Sequence, residues 1–183
     1  MKHLATALLV ILGAARTAHA ETPDVRHGFT LGVGLGGGGA YYTPEHAGSG
    51  SEPGVSFTLT IGGFVRPNVA IVFHELFIDS GPFQNALQPG ISAAGTLAAQ
   101  YWLGERVNVI GGLGMGVMQA SSSNPLAPFS EPSQIGLGAV FGVSVVPVLS
   151  PHHAMSVSLE VAPIFSDHLI STIYSGSLSW QYF

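Results

Sequence analysis

Charge-capable side chains interrupt the apolar runs of this chain at two places, His74-Glu75 in VAIVFHELFID and Glu160 in SVSLEVAPIF. An imidazole and a carboxylate that meet away from water satisfy each other's polar atoms, which is how buried polar groups persist. His74 and Glu160 are therefore the candidate polar pair, provided both turn inward; the alternative is that Glu75 lies near the outer interface and Glu160 meets lumen water. Other constellations carry less. Gly32-Val-Gly34-Leu-Gly36-Gly37 matches a dinucleotide-binding pattern, but that motif needs a following helix to hold a pyrophosphate. Here the glycines continue an extended segment and Pro44 follows. His152-His153 is a pair without further ligands, and a metal needs more donors than adjacent side chains supply. With His27, His46 and His168 it reads as solvated, so neither metal nor cofactor is expected.

The elements that must position His74 and Glu160 announce themselves by alternation. Phe29-Thr-Leu31-Gly-Val33-Gly-Leu35-Gly sets a large apolar residue at every second position. In a strand that spacing gives one apolar face and one face of Gly, Ser, Thr and Ala. Similar segments occupy about 28–40, 54–65, 69–79, 91–102, 107–119, 134–147, 154–165 and 169–183. Each is long enough for a tilted membrane strand of about 9–11 residues. The outward set includes Phe57, Leu59, Leu113, Leu137, Phe141 and Leu159, and the inward set Thr30, Thr58, Thr96, Gln100, Asn108 and Ser158. Strand 69–79 is apolar on both faces, and its facing stays open.

Residues 1–20 read as a signal peptide, with Lys2, an apolar stretch from Leu4 to Ala15 and Ala18-His19-Ala20 before the cut. The domain is then 21–183. It keeps no Lys and three Arg against ten acids, a net charge of −7. That balance excludes nucleic acid, whose phosphates require Lys and Arg. Without cysteine the domain is held by backbone pairing and packing alone. A chain only 8% charged, with no uninterrupted apolar run of helical-span length, is awkward for a soluble globule. A transmembrane barrel produces that combination naturally, since each strand is only half apolar.

The connections at 41–53, 79–90 and 120–133 are long, whereas 66–68, 103–106 and 148–153 are short. Arg26, Arg66 and Arg106 all fall at the short-turn end, and Glu45, Glu52, Asp79, Glu131 and Asp167 fall in or beside the loops at the other end. The prediction is an all-β, closed, up-and-down antiparallel transmembrane barrel of eight strands. Tyr41, Tyr42, Tyr101, Trp102, Trp180 and Tyr182 near strand ends are its expected membrane-interface aromatics. The small inward residues leave a narrow passive pore open as an alternative. So does a soluble barrel with the faces inverted around a hydrophobic ligand.

On the signal peptide, strand rhythm, loop alternation and aromatic ending, the chain resembles the small eight-stranded outer-membrane β-barrels, including the OmpA transmembrane domain and OmpX. The resemblance implies a monomer in the Gram-negative outer membrane, among lipid and lipopolysaccharide, with a structural or surface role through its loops. Its extracellular ligand stays unknown. It also implies that Trp180, Tyr182 and Phe183 form the terminal signal read by the barrel assembly machinery. Phe183 departs from that pattern, sharing a face with Gln181, Ser179 and Ser177. Either the strand ends one residue early or a bulge lies near the terminus. Some barrels of this kind modify lipid A with His, Ser and an acid, but no His-x-Ser-Asn segment is present, and a non-enzyme is expected.

Overall fold

A computed structural model describes residues 26–44, 50–80, 90–120, 134–167 and 169–183. The expected signal peptide, His46, His168 and most of the long loops lie outside them, as does the side chain of Tyr42. Eight strands follow in order: β1 (Gly28–Pro44), β2 (Gly50–Arg66), β3 (Val69–Asp79), β4 (Gly90–Trp102), β5 (Val107–Ala120), β6 (Gln134–Leu149), β7 (His153–Phe165) and β8 (Leu169–Tyr182). Each pairs antiparallel with its neighbours, and β1 pairs with β8, so the sheet closes without an edge. Closure matters in lipid, where an unpaired edge has no water to bond.

The first hairpin runs farther than its composition suggests. Pairing between β1 and β2 continues to Tyr42↔Gly50, through the Gly-, Ser- and Pro-rich stretch read from sequence as loop. Two irregularities adjust the wall, at Phe64/Arg66 and at Val145/Val148. Pro147 lies in the second, where its missing N–H cannot serve the ladder. No bulge falls in β8, whose register with β7 is continuous from His153↔Tyr182 to Phe165↔Ile170. The strand simply ends at Tyr182 and leaves Phe183 beyond it.

Register fixes the barrel's dimensions. Partners followed around the wall from Gly32 through Thr60, His74, Thr96, Gly114, Gly138, Ile164 and Ser171 return to β1 at Tyr42, ten residues along from Gly32. With a rise of about 3.4 Å per residue and strands about 4.8 Å apart, that stagger sets a tilt of about 40° and a wall radius of about 8 Å. Such a radius leaves room inside for side chains and little else.

The faces divide as the alternation requires. Leu35, Leu97 and Leu113 stand outward at 64–67% exposure, and Thr30, Thr58, Thr96 and Ser158 are buried inside. This arrangement excludes the inverted soluble barrel. Strand β3 resolves with Ala70, Val72, His74, Leu76 and Ile78 inward and Ile71, Phe73, Glu75 and Phe77 outward.

Glycine lets the wall curve tightly at β1. A Cβ at Gly36 would run into the carbonyl oxygen of Gly176 and stand 2.6 Å from Ser177 Cα, whereas at outward Gly37 the nearest atom is 3.9 Å away. Gly36→Ala is expected to cost about 1–3 kcal/mol, as overpacking does. Gly37→Ala should stay within about 0.5 kcal/mol of the parent. Urea midpoints in vesicles, followed by the folded band on unheated gels, check the contrast.

Candidate functional site

Inside the wall the side chains form three levels. At the short-turn end Trp102, Val146, Ala154 and Phe183 make an apolar cluster, with Phe64 packed against it. Phe183 meets Trp102 and Phe64 edge-on, at centroid distances of 5.7 and 6.0 Å. Its N–H donates to His152 O at 3.1 Å, which holds the chain's last residue across the mouth. Arg26, just ahead of β1, lays its guanidinium over the Trp102 ring at 3.7 Å. Its nitrogens donate to Glu105 O at 2.8 Å and Gly104 O at 3.4 Å in the β4–β5 turn. Gly104 turns there with φ 88°, a left-handed conformation that glycine adopts without strain. Burial lowers the Arg26 pKa to about 10, while the Glu105 carboxylate pulls the other way.

Trp102 was expected among the interface aromatics, and the structure corrects this: it is 2% exposed and points inward. The cause is the period of two, because its neighbour Tyr101 takes the outward position at 42% exposure. Tyr41, Trp180 and Tyr182 stand outward. His153 stacks on Trp180 with centroids 5.5 Å apart, so this turn histidine is a ring contact on the outer wall.

The middle level is polar. His74 on β3 reaches across the lumen to β7, its Nε2 3.1 Å from Glu160 Oε2. Thr60, its register partner on β2, lies 2.9 Å from Nδ1. With Glu160 accepting, Nε2 carries the proton and Nδ1 accepts from the Thr60 hydroxyl. Glu160 leans over Gly142, where a Cβ would stand 2.8 Å from Glu160 Cγ. Below this chain, Gln100 and Gln181 exchange amide hydrogen bonds at 3.2 and 2.9 Å. Their remaining amide hydrogens go to Asn108 Oδ1 and Thr30 Oγ1. The Ser158 hydroxyl links those of Ser144 and Ser179. These groups line a cavity of about 30 Å³, room for about two waters.

The outer level is apolar, which the sequence reading missed. Leu76, Ile78, Val140, Ile164 and Ile173 are fully buried in one cluster with Met118. They sit at inward positions of strands whose outward residues are also apolar, so alternation alone gave no contrast. The lumen expected to be lined by small residues is therefore filled at both ends, with the polar cavity between. The signal was present in the inward phase of β3, which read as apolar on both faces.

Solved structures resemble this architecture. Ail, the attachment invasion locus protein of Yersinia pestis, aligns at TM-score 0.60 and 15% identity, covering 84% of this chain and 98% of that one. The fold is that of the eight-stranded outer-membrane barrels. Neisserial surface protein A aligns at TM-score 0.60 and 14% identity, over 84% of this chain and 96% of its own. The N-terminal β-barrel domain of Pseudomonas aeruginosa OprF gives 0.50 and 11%, over 86% and 98%. Between sequences, no family model and no curated protein matches.

Proposed function

We propose that this chain is an exported outer-membrane barrel that acts without catalysis, through the surface its long loops present, and that its lumen is a seal. The observation carrying the reading is the pair of apolar plugs, Trp102–Phe183 and Leu76–Ile164–Ile173, on either side of a cavity of about 30 Å³. An eight-stranded barrel of radius about 8 Å offers no other route for ions. The outer face supports membrane residence. Eleven residues of β3, tilted by about 40°, rise about 28 Å, close to the apolar band of about 25 Å on such barrels. Residues 1–20 serve as the export signal in this reading. Outward Trp180 and Tyr182, with Phe183 behind them, form the end that the assembly machinery recognises. Lipid and lipopolysaccharide are its surroundings.

Two observations limit the alternatives. The hydroxyl–imidazole–carboxylate chain of Thr60, His74 and Glu160 faces the lumen, on the opposite side of the wall from a lipid substrate in the bilayer. Ail has also been solved with the heparin analogue sucrose octasulfate. The segments 41–53, 79–90, 120–133 and 166–168 of this chain contain no Lys or Arg, so a polyanion finds no cationic partner there.

Cell fractionation and planar-bilayer recording test the reading together. The expected result is recovery with outer membranes, gel mobility that changes on heating, and no conductance steps above the bare bilayer. Recovery in the soluble periplasm would overturn the membrane assignment. Stable single-channel steps from the parent protein would overturn the seal.

A further inference from the structure

The outer wall at the short-turn end carries polar groups that the lumen does not use. Arg106, exposed in the β4–β5 turn, reaches across to β6, where its Nη1 donates to Pro147 O at 3.0 Å. Its other N–H groups bond to no described residue, and it makes no ion pair among them. The register sets Val148, Met155 and Trp180 side by side on β6, β7 and β8. Trp180 therefore stands two strand spacings along the wall from that contact, about 10 Å. Exposed His153 lies against both Trp180 and Tyr182, at centroid distances of 5.5 Å, and exposed His152 lies 6.4 Å from Tyr182. Among the described residues both histidines hydrogen-bond through their backbone atoms alone. Of the described carboxylates only Glu105 is at this end, and its field acts on Arg26. What remains is a patch of N–H donors and aromatic rings without a carboxylate.

We propose that this patch binds the headgroup phosphate of an anionic phospholipid, with Arg106 and His153 as donors and Trp180 and Tyr182 along the lipid below it. The inference rests on the outer-membrane reading and names the lipid that one sector of the wall selects. A guanidinium suits phosphate because its planar fork offers parallel N–H groups. Imidazole adds another N–H, and the neutral ring already has one to give. Tryptophan and tyrosine rings settle at headgroup depth, so both donors stand at the level of a lipid phosphate. That placement on the lipid-facing wall favours a phospholipid over free phosphate. A zwitterionic headgroup would bring an ammonium, for which the patch holds no carboxylate, and His153 already covers a face of Trp180. Arg66 supplies the comparison. It is exposed at the same end, but on the β2–β3 turn, half the circumference away from His153.

Quenching by brominated lipids tests this. The chain has two tryptophans, so Trp102→Phe, which keeps a ring in the mouth, leaves Trp180 as the reporter. In mixed vesicles of phosphatidylcholine and phosphatidylglycerol, the bromine is carried by one lipid or the other at equal mole fraction. Brominated phosphatidylglycerol should quench Trp180 as if enriched about five-fold at the wall, the factor for one cationic side chain near an anionic surface. Arg106→Gln, which keeps a donor for Pro147 O, should bring the two lipids to parity. His153→Phe keeps a ring on Trp180 without its N–H and should lose about half of the enrichment, as one of two donors. Arg66→Gln should retain all of it. Spin-labelled forms of the same two lipids give the ratio on protein that keeps Trp102. Equal quenching by both lipids overturns the proposal, and so does an equal fall for Arg66→Gln and Arg106→Gln. Loss of the enrichment on adding inorganic phosphate overturns the lipid as ligand. Failure to insert at all, seen as the absence of a heat-modifiable band, removes the membrane reading as well. Insertion without enrichment removes this inference alone.

Discussion

Trp102→Ala is expected to destabilise the barrel by about 3–5 kcal/mol, the range for emptying a large buried aromatic site. It should also make the short-turn mouth leaky. The indole is the centre of that mouth: Phe183 packs edge-on against it and Arg26 covers its face at 3.7 Å. Its Nε1 has no hydrogen-bond partner in the described structure. The ring therefore works through shape and its π face, and Trp102→Phe, which keeps a ring and leaves a smaller cavity, should lose clearly less than Trp102→Ala. Urea midpoints in vesicles read the stability, and small-ion flux reads the leak. Equal losses from Ala and Phe would mean that the indole nitrogen matters after all. Arg26 does not act as a switch at ordinary pH. Burial holds the Arg26 pKa near 10, well below that of the free side chain. Only between those values does the unfolded chain bind the extra proton, so stability rises with pH in that window and this group contributes no slope between about pH 5 and 8.

The second large effect belongs to His74 and Glu160. His74→Leu leaves the Glu160 carboxyl inside the wall without its imidazole, and breaking a buried pair from one side costs about 3–5 kcal/mol. Replacing both, as His74→Leu with Glu160→Met, should come out near neutral, because the desolvation of both groups disappears with their contact. A double-mutant cycle on urea midpoints at unchanged m-value measures the coupling directly. Additive single and double effects would show that cavity water serves Glu160 as well as the imidazole does.

Much of the wall was legible in the residues themselves. A strand sends alternate side chains to opposite faces, so the spacing of Phe57, Leu59, Leu113 and Leu137 gave the strands and their outward phase. Turn chemistry at Arg66-Pro67-Asn68 and Leu103-Gly104-Glu105-Arg106 gave the order of short and long connections. His74 and Glu160 stood out as candidates because ionisable groups are costly inside apolar strands. Trp102 was misplaced because an aromatic near a strand end fits a membrane interface and a lumen plug equally well, and only its parity against Tyr101 decides between them. The apolar outer level escaped because alternation reports contrast, and β3 has none.

Sequence alone determined that this chain closes into a barrel with an apolar exterior, since period and composition are local properties of each strand. Tertiary structure decided what faces what across the lumen. A stagger of ten residues around the wall brings His74 of β3 opposite Glu160 of β7 and sets Phe183 on Trp102. That stagger is a sum over all eight pairings, which no single segment encodes. It turned a wall that reads as small into a lumen with buried apolar side chains on either side of a polar cavity.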